Sequence, residues 1–600
     1  MSRWNWDKVR RLQQKWIATW YDASDRTKRR LLVVGVALLC VLWFVGGSLQ
    51  PSNRFKGLPQ VDSGSATSRD WPDGSSSSSS SGTMTRDSPP DQALGRDEAP
   101  KPWTEAELTE LAKVWIGIED ALCSAHEVYK KHAQGGDNDE ERQIRGHANA
   151  WRSFMAAVPP PPVSRRPQRR KEALEPATRA IVLPAGGPGL LQLGLVSLQA
   201  LRYRARCSLP VEVFYQDAGE APSPELEAWV AKALGPVVFR DISQVAQRAY
   251  KMRQNGDAAL QHWHASCPHQ LRIEGYGLKV FAMVLSAYDE ILVLDSDNLP
   301  LLDPTGLFSM GPFGRGEIGG FFWTDFFGIF GASDYQRSVL YRTMLRHLEP
   351  PPCAQHDGTV EYQEPGTDAP ACGVPVHDQR GLESGQVLIR RRQVGQKRSF
   401  WRALMLSVYM YHHRDFFYRH MYGDKDSYRL AALALREPSE ICPIALGSVG
   451  FYDDHQAFQG HGMLQFWPFP ETLAQVPALM EDPAELQQAL LRQARMGRTV
   501  LFLHRNQRKI PVEGPRVLKK QHFNLKVSCW NNATGDQARE PPRFFITPEQ
   551  GLTRLTGPDI VCVNTHDLVG FDVDADVLNY VENLWDRREW RSYLHSRNIY

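Results

Sequence analysis

Residues 291–294, Ile-Leu-Val-Leu, are an unbroken apolar run bounded by acidic residues. They are too few for a helix and lack the polar alternation of a strand wetted on one face. They therefore read as a strand buried on both faces, which requires helices on either side of its sheet. The flanking pattern agrees. Residues 180–183 (Ala-Ile-Val-Leu), 211–215 and 237–239 read as short strands, and 190–203, 225–234 and 276–288 read as helices between them. Strands alternating with helices predict parallel pairing with right-handed crossovers, an α/β class.

The strand ends abruptly in Asp295-Ser-Asp297. Two carboxylates at the tip of an interior strand are costly unless something compensates their charge. A spacing of two on extended backbone puts both on one side, and at the carboxyl end of such a strand that side faces the ligand crevice. Hard oxygen ligands there suit Mg²⁺ or Mn²⁺ bridging a diphosphate. Other acidic pairs, such as Asp137/Asp139 and the 572–576 run, lack a buried strand before them and read as solvated loops or turns. The Gly-rich turn 185–189 has no Gly-Lys-Ser/Thr ending; it either presents backbone N–H groups to a nucleotide or is a tight turn only.

The chain of 600 residues is longer than one ordinary domain. A formal net charge of +2 gives no basic bulk of the kind nucleic acid attracts. Residues 31–49 are uncharged and apolar, about 28 Å long as a helix, enough to cross a bilayer. The tail before them is rich in Lys and Arg, so residues 1–30 are expected in the cytosol and everything after Gln50 in the lumen, a single-pass type II arrangement. Residues 50–102, with a serine run at 75–81, read as a flexible stalk; 103–158 as a helical region opened by a capping box at Thr104 and Glu107; and 159–177 as a Pro-rich, basic linker. Eight cysteines follow the apolar span, an even set that favours disulfides over zinc, and Cys353 and Cys372 flank a loop that a bridge could close. Asn532-Ala-Thr534 is a glycosylation sequon usable on the lumenal side. Residues 576–596 read as a terminal helix.

Between residues 178 and 509 a series of motifs appears in order: Leu271-Arg-Ile-Glu-Gly-Tyr-Gly-Leu-Lys279, the 290–304 segment, Trp323-Thr-Asp-Phe326, Glu383-Ser-Gly-Gln-Val-Leu-Ile389, Tyr422-Gly-Asp-Lys425, His461-Gly-Met-Leu-Gln465 and Phe502-Leu-His-Arg-Asn506. This series resembles the fungal Golgi α-mannosyltransferase family, which holds α-1,2- and α-1,3-mannosyltransferases. The resemblance implies a GT-A nucleotide-sugar fold over residues 178–600, GDP-mannose as donor, a mannose-containing glycan as acceptor, Mn²⁺ (or Mg²⁺), retention of configuration, a Golgi membrane location and a possible transferase complex. Thr324 departs from the family pattern, which places Pro or Gln there.

Glycosyl transfer needs the leaving diphosphate neutralised, the sugar oriented and water excluded. A divalent ion on Asp297, with Asp295 holding the ion or the ribose, meets the first need, and His504, after the apolar run 500–503, is the third metal ligand implied by resemblance, with His461 a weaker competitor. Lys279 and Lys425 add positive charge to the phosphates, unless they are ordinary surface lysines. Asp325 grips sugar hydroxyls or caps a helix. Glu383 faces the sugar or acceptor, or else pairs with the 390–392 arginines. Gln386 hydrogen-bonds hydroxyls, and Asp424 is a further hydroxyl or acceptor contact. Two alternatives stay open: a retaining transferase using another nucleotide sugar, and an inactive glycan-binding subunit.

Overall fold

The computed structural model describes residues 100–134, 139–162, 178–255, 271–328, 380–421, 423–452, 458–469, 499–505, 525–531, 543–547, 551–556 and 560–599, with scattered positions between them. The apolar span 31–49, the stalk as far as residue 99, the linker at 163–177, Cys353, Cys372, Tyr422 and Asn532 lie outside the described residues. No described helix is long and apolar enough to cross a membrane.

The expected α/β sheet is present. Strands β1 (Arg179–Pro184), β2 (Val211–Tyr215), β3 (Val237–Asp241) and β4 (Glu290–Leu294) pair in parallel in the order β4-β1-β2-β3. Every residue of β4 is buried, as the apolar run requires. Side chains of this kind stabilise by about 2 kcal/mol each on leaving water, which anchors the acidic turn that follows. The other edge of β4 is not parallel. After β5 (Asn298–Pro300) and β6 (Gly320–Gly328), β7 (Arg380–Arg390) inserts antiparallel between β4 and β6, and β8 (Ser439–Ile441) closes that edge on β6.

Helices cover the sheet as the pattern predicts. The paired helices α1 (Glu105–His132) and α2 (Asp139–Ala157) pack on the same core as the sheet, and the capping box at Thr104 and Glu107 is formed. Helices α3 (Gly187–Gln199) and α4 (Pro224–Ala233) follow β1 and β2. The Gly-rich turn becomes the start of α3, with Gly187 at φ 75°, a backbone that glycine takes without steric cost. Helix α5 (Ile242–Gln254) follows β3. Helix α6 (Gly277–Leu285) is wholly buried, between β1 and helix α7 (Trp401–His412), which the short α8 (Arg414–Phe417) follows. Gly277 lies against the Tyr411 ring, where a Cβ has no room.

A second, antiparallel sheet stands beside the first. It includes β9 (Gly447–Tyr452), β10 (Phe458–Phe466), β11 (Val500–His504), β12 (Val527–Asn531) and β13 (Ile560–Asn564). Cys529 and Cys562 face each other in the β12–β13 register and form a disulfide. Cys123 is also bridged. The even set is not paired throughout, because Cys207 and Cys442 are buried free thiols.

The chain end corrects two expectations. Residues 572–576 are not a solvated turn: Asp572 caps α10 (Val573–Trp585) by accepting from the Ala575 N–H, Asp574 accepts from the Leu525 N–H at 2.8 Å, and Asp576 pairs with Arg204. The single terminal helix is two, α10 and α11 (Arg588–Ser596).

Candidate active site

The acidic turn sits where two sheets meet. After β4 the chain turns, with the Asn298 N–H donating to the Asp295 carbonyl at 3.0 Å, and enters β5. The backbone at 295–297 is therefore a turn and not the extended segment expected from the spacing. Strand β5 pairs antiparallel with β11, with His504 opposite Asn298. That register brings a histidine 207 residues away onto the turn, with its Nε2 3.1 Å from Asp297 Oδ1. The Arg505 N–H donates to the Asp297 carbonyl at 3.0 Å and fixes the approach. His461, in β10, lies against Phe451 instead and is not in the cluster.

Strand β7 supplies the other wall. Leu294 faces Gln386 across the ladder, and the Asp295 N–H donates to the Gly385 carbonyl at 2.8 Å. Asn298 Nδ2 donates to the same carbonyl at 2.8 Å and to Gln386 Oε1 at 2.6 Å. Gln386 is fully buried, so its amide oxygen braces the turn. Glu383 Oε1 accepts from the Gly385 N–H at 2.6 Å and lies 3.4 Å from His504 Nδ1. The arginine alternative for Glu383 does not hold for Arg390, which pairs at 2.8 Å with the buried Glu290. Gly385 is required by crowding: a Cβ there would stand 2.6 Å from His504 Nδ1 and 3.1 Å from Glu383 Oε1.

Two lysines serve this group of acids. Lys279, on the first turn of α6, is buried and not a surface lysine. Its Nζ lies 2.7 Å from Asp295 Oδ1 and 3.4 Å from Asp424 Oδ2, and donates to Ser384 Oγ at 2.9 Å. Burial alone would lower its pKa, but Asp295, Asp424 and Glu383 outweigh that and raise it, so it is an ammonium. Lys425 opens α9 (Lys425–Leu435) and pairs with Asp325. Asp325 lies within β6 and accepts from the Phe326 N–H at 2.6 Å, so it is not a helix cap. Asp424 precedes α9 without capping it through its side chain.

The electrostatics are lopsided. Five carboxylates, Asp295, Asp297, Asp325, Glu383 and Asp424, are gathered with two ammonium groups and one imidazole. Burial pushes Asp295 up, with Lys279 pulling back and Asp297 adding to the rise. Burial pushes Asp325 up to about 6, Glu383 adds to it, and Lys425 opposes. Burial also works to raise Glu383, yet His504 and Lys425 hold it down at about 2. His504 is raised well above its ordinary value because Glu383 and Asp297 overcome its burial.

One oxygen or nitrogen each from Asp295, Asp297 and His504 lies within 4.8 Å of the others, the one such cluster among the described residues. Two carboxylates and an imidazole in an acid-rich, buried niche fit a divalent cation, with the oxygen share suited to Mn²⁺ or Mg²⁺. Ser384 and Asn298 escaped the sequence reading as individual residues. Gly385 is legible in the sequence as a glycine beside a strand-like run, where backbone can approach a partner closely, and the group it approaches is the His504 ring.

Comparison with known proteins agrees with the resemblance drawn from the motifs. Residues 178–466 match the family model described as "Mannosyltransferase putative". The α-1,2-mannosyltransferase MNN21 of Candida albicans is 26% identical over 382 residues, 57% of this chain and 51% of the relative. A second C. albicans α-1,2-mannosyltransferase, MNN23, is 24% identical over 215 residues, 32% of this chain and 33% of the relative. The chain thus spans about half the length of the first of these relatives or less. Among solved structures, the Saccharomyces cerevisiae mannosyltransferase Ktr4p is 12% identical, covers 53% of this chain and 80% of its own, and superimposes with a TM-score of 0.26. At that score no residue role is carried across.

Proposed function

We propose that this chain is a divalent-metal-dependent α-mannosyltransferase that moves mannose from GDP-mannose to a mannose-containing glycan with retention of configuration. The observation that carries the reading is the Asp295, Asp297 and His504 cluster at the tip of β4, with Lys279 against it. Sequence similarity to α-1,2-mannosyltransferases supports mannose as the sugar. A GT-A arrangement is supported by the parallel β1–β4 half with an acidic turn at its crevice end.

In this reading Asp295, Asp297 and His504 hold the cation, which when bound would supply positive charge to the departing diphosphate. Lys279 adds a fixed positive charge beside it and keeps Asp295 and Asp424 from repelling each other. Glu383 orients His504 through Nδ1, as partners of ligating histidines do. The Asp325–Lys425 pair presents a carboxylate and an ammonium to sugar hydroxyls. Gln386 and Asn298 keep the turn rigid from below. We extend the proposal to a type II Golgi location, with the catalytic part lumenal; the apolar run 31–49 with its basic flank and the sequon at Asn532 support it.

The test is the purified full chain in detergent, incubated with GDP-mannose, other GDP-sugars and UDP-sugars, with and without Mn²⁺, on mannobiose. Metal-dependent transfer from GDP-mannose is expected. Transfer from UDP-sugars only would replace the donor assignment, and no transfer from any donor would refute the enzyme reading. An endoglycosidase-sensitive Asn532 in a secretory host is expected from the topology; an unmodified site would count against it.

A further inference from the structure

A cavity of about 500 Å³ opens among α1, α2, the 271–276 loop and the end of α7, and shares no residue with the acidic cluster. Its volume is that of a small-molecule site. One wall is ring-lined: His147 lies 4.5 Å from Phe416 and 4.8 Å from both Tyr129 and His413, centroid to centroid. Burial lowers the His147 pKa to about 3, so this ring is neutral, and its Nδ1 shares a hydrogen with the Tyr409 hydroxyl at 2.9 Å. The rim is cationic. Arg272, Arg414 and Arg419 line it against one acid, Asp415. Arg414 is spoken for by Glu274 at 2.7 Å. Arg272 and Arg419 are exposed; Asp139, at the start of α2, acts on Arg419 from outside the lining. Imidazole and carboxylate groups do not converge here as a metal set.

Ring faces beside exposed guanidinium groups suit a ligand with an apolar face and an anionic edge. We propose that this cavity binds an anionic sugar, one carrying a phosphate or a carboxylate. Its placement ties it to the acidic site. The Tyr411 hydroxyl bonds the carbonyls of Arg272 and Glu274 at 3.0 and 2.9 Å, and the same loop runs on into α6, which carries Lys279. Seven residues separate Arg272 from Lys279, a reach of at most about 25 Å. A branched acceptor spans such a distance, so the cavity holds the anionic branch of the acceptor while its neutral end meets the acidic turn. That last role rests on the transferase reading; the binding itself does not.

The test is calorimetric titration of the full chain in detergent with mannose 6-phosphate, glucuronic acid, mannose and inorganic phosphate, repeated on the double variant Arg272→Gln/Arg419→Gln. Both side chains are exposed, so the variant is expected to keep the wild-type Tm; should it not, Arg419→Gln alone is titrated. One of the two anionic sugars is expected to bind at least tenfold more tightly than mannose or phosphate, and the variant to lose about tenfold or more, the scale of one charged hydrogen bond. Which of the two binds identifies phosphate or carboxylate as the anion. Equal binding by wild type and variant, or phosphate binding as tightly as either sugar, overturns the site. Transfer is then compared on acceptors with and without the anionic group. A higher kcat/KM on the anionic acceptor, lost in the variant, is expected. Binding without that preference overturns the acceptor role alone, and binding without any transfer overturns the transferase reading and leaves the site standing.

Discussion

Replacing Gly385 by Ala tests the construction of the site more sharply than removing a ligand. The added methyl would stand 2.6 Å from His504 Nδ1 and 2.7 Å from Cε1, where ordinary contact begins near 3.4 Å. The imidazole must therefore retreat by about 0.8 Å, or the β7 backbone must give way. Neither is free. His504 is buried, its Nε2 sits 3.1 Å from Asp297, and the Gly385 carbonyl is tied to the Asp295 N–H and to Asn298. Overpacking of this kind costs about 1–3 kcal/mol of stability. A displacement near 1 Å costs about 10²-fold in rate when it misplaces a group that orients the reaction. The expected result for Gly385→Ala is a folded protein with modestly lower Tm, weaker Mn²⁺ binding by electron paramagnetic titration, and transfer reduced about a hundredfold. Wild-type metal affinity and turnover in a variant shown to be folded would refute the packing argument, and with it the place given to His504.

Lys279→Met removes the buried ammonium between Asp295 and Asp424 and leaves two acids facing each other; stability is expected to fall by about 3–5 kcal/mol in urea titration, with activity lost. Arg390→Met removes the 2.8 Å partner of the fully buried Glu290, leaving it Arg179 at 3.1 Å, and orphans three carbonyls that Arg390 now serves at about 1–3 kcal/mol each, so a loss of about 3 kcal/mol or more is expected, seen as poor recovery of soluble protein and a lowered urea midpoint. His147 has its pKa depressed by burial to about 3, so between its unfolded value near 6.5 and 3 the unfolded chain holds a proton that the native chain does not. Stability is thus fully present above pH 6.5 and falls as pH drops through that window, by up to about 1.4 kcal/mol per pH unit from this group. Urea titrations from pH 7 to 4 should show the fall, and a shallower one in His147→Asn; identical slopes would remove His147 as the cause.

Much of the fold was written locally. The unbroken apolar runs at 180–183 and 291–294 are strands within a residue or so of their expected ends, because a strand buried on both faces leaves no polar alternation to misread. The Thr104 capping box forms because its partners are three residues apart and need no tertiary help. Helix α5 passed unnoticed because its apolar positions are sparse, with Ile242, Val245 and Ala249 buried beside Arg253. The 572–576 acids were misjudged because the order of the residues carries no trace of Arg204, 372 residues away.

Local order placed a pair of carboxylates at the tip of a buried strand, since hydrophobic patterning and turn chemistry are properties of adjacent residues. It also named the histidine, though by resemblance and not by any rule of spacing. What tertiary structure alone decided was the company those carboxylates keep. The β5–β11 register sets His504 on Asp297, an antiparallel β7 inside an otherwise parallel half brings Glu383 and Gly385 beside them, and α6 aims Lys279 into the same niche. Strand register and direction depend on pairing between distant segments, and the charge balance of a buried site depends on which of those segments meet. Neither is encoded within any window of neighbouring residues.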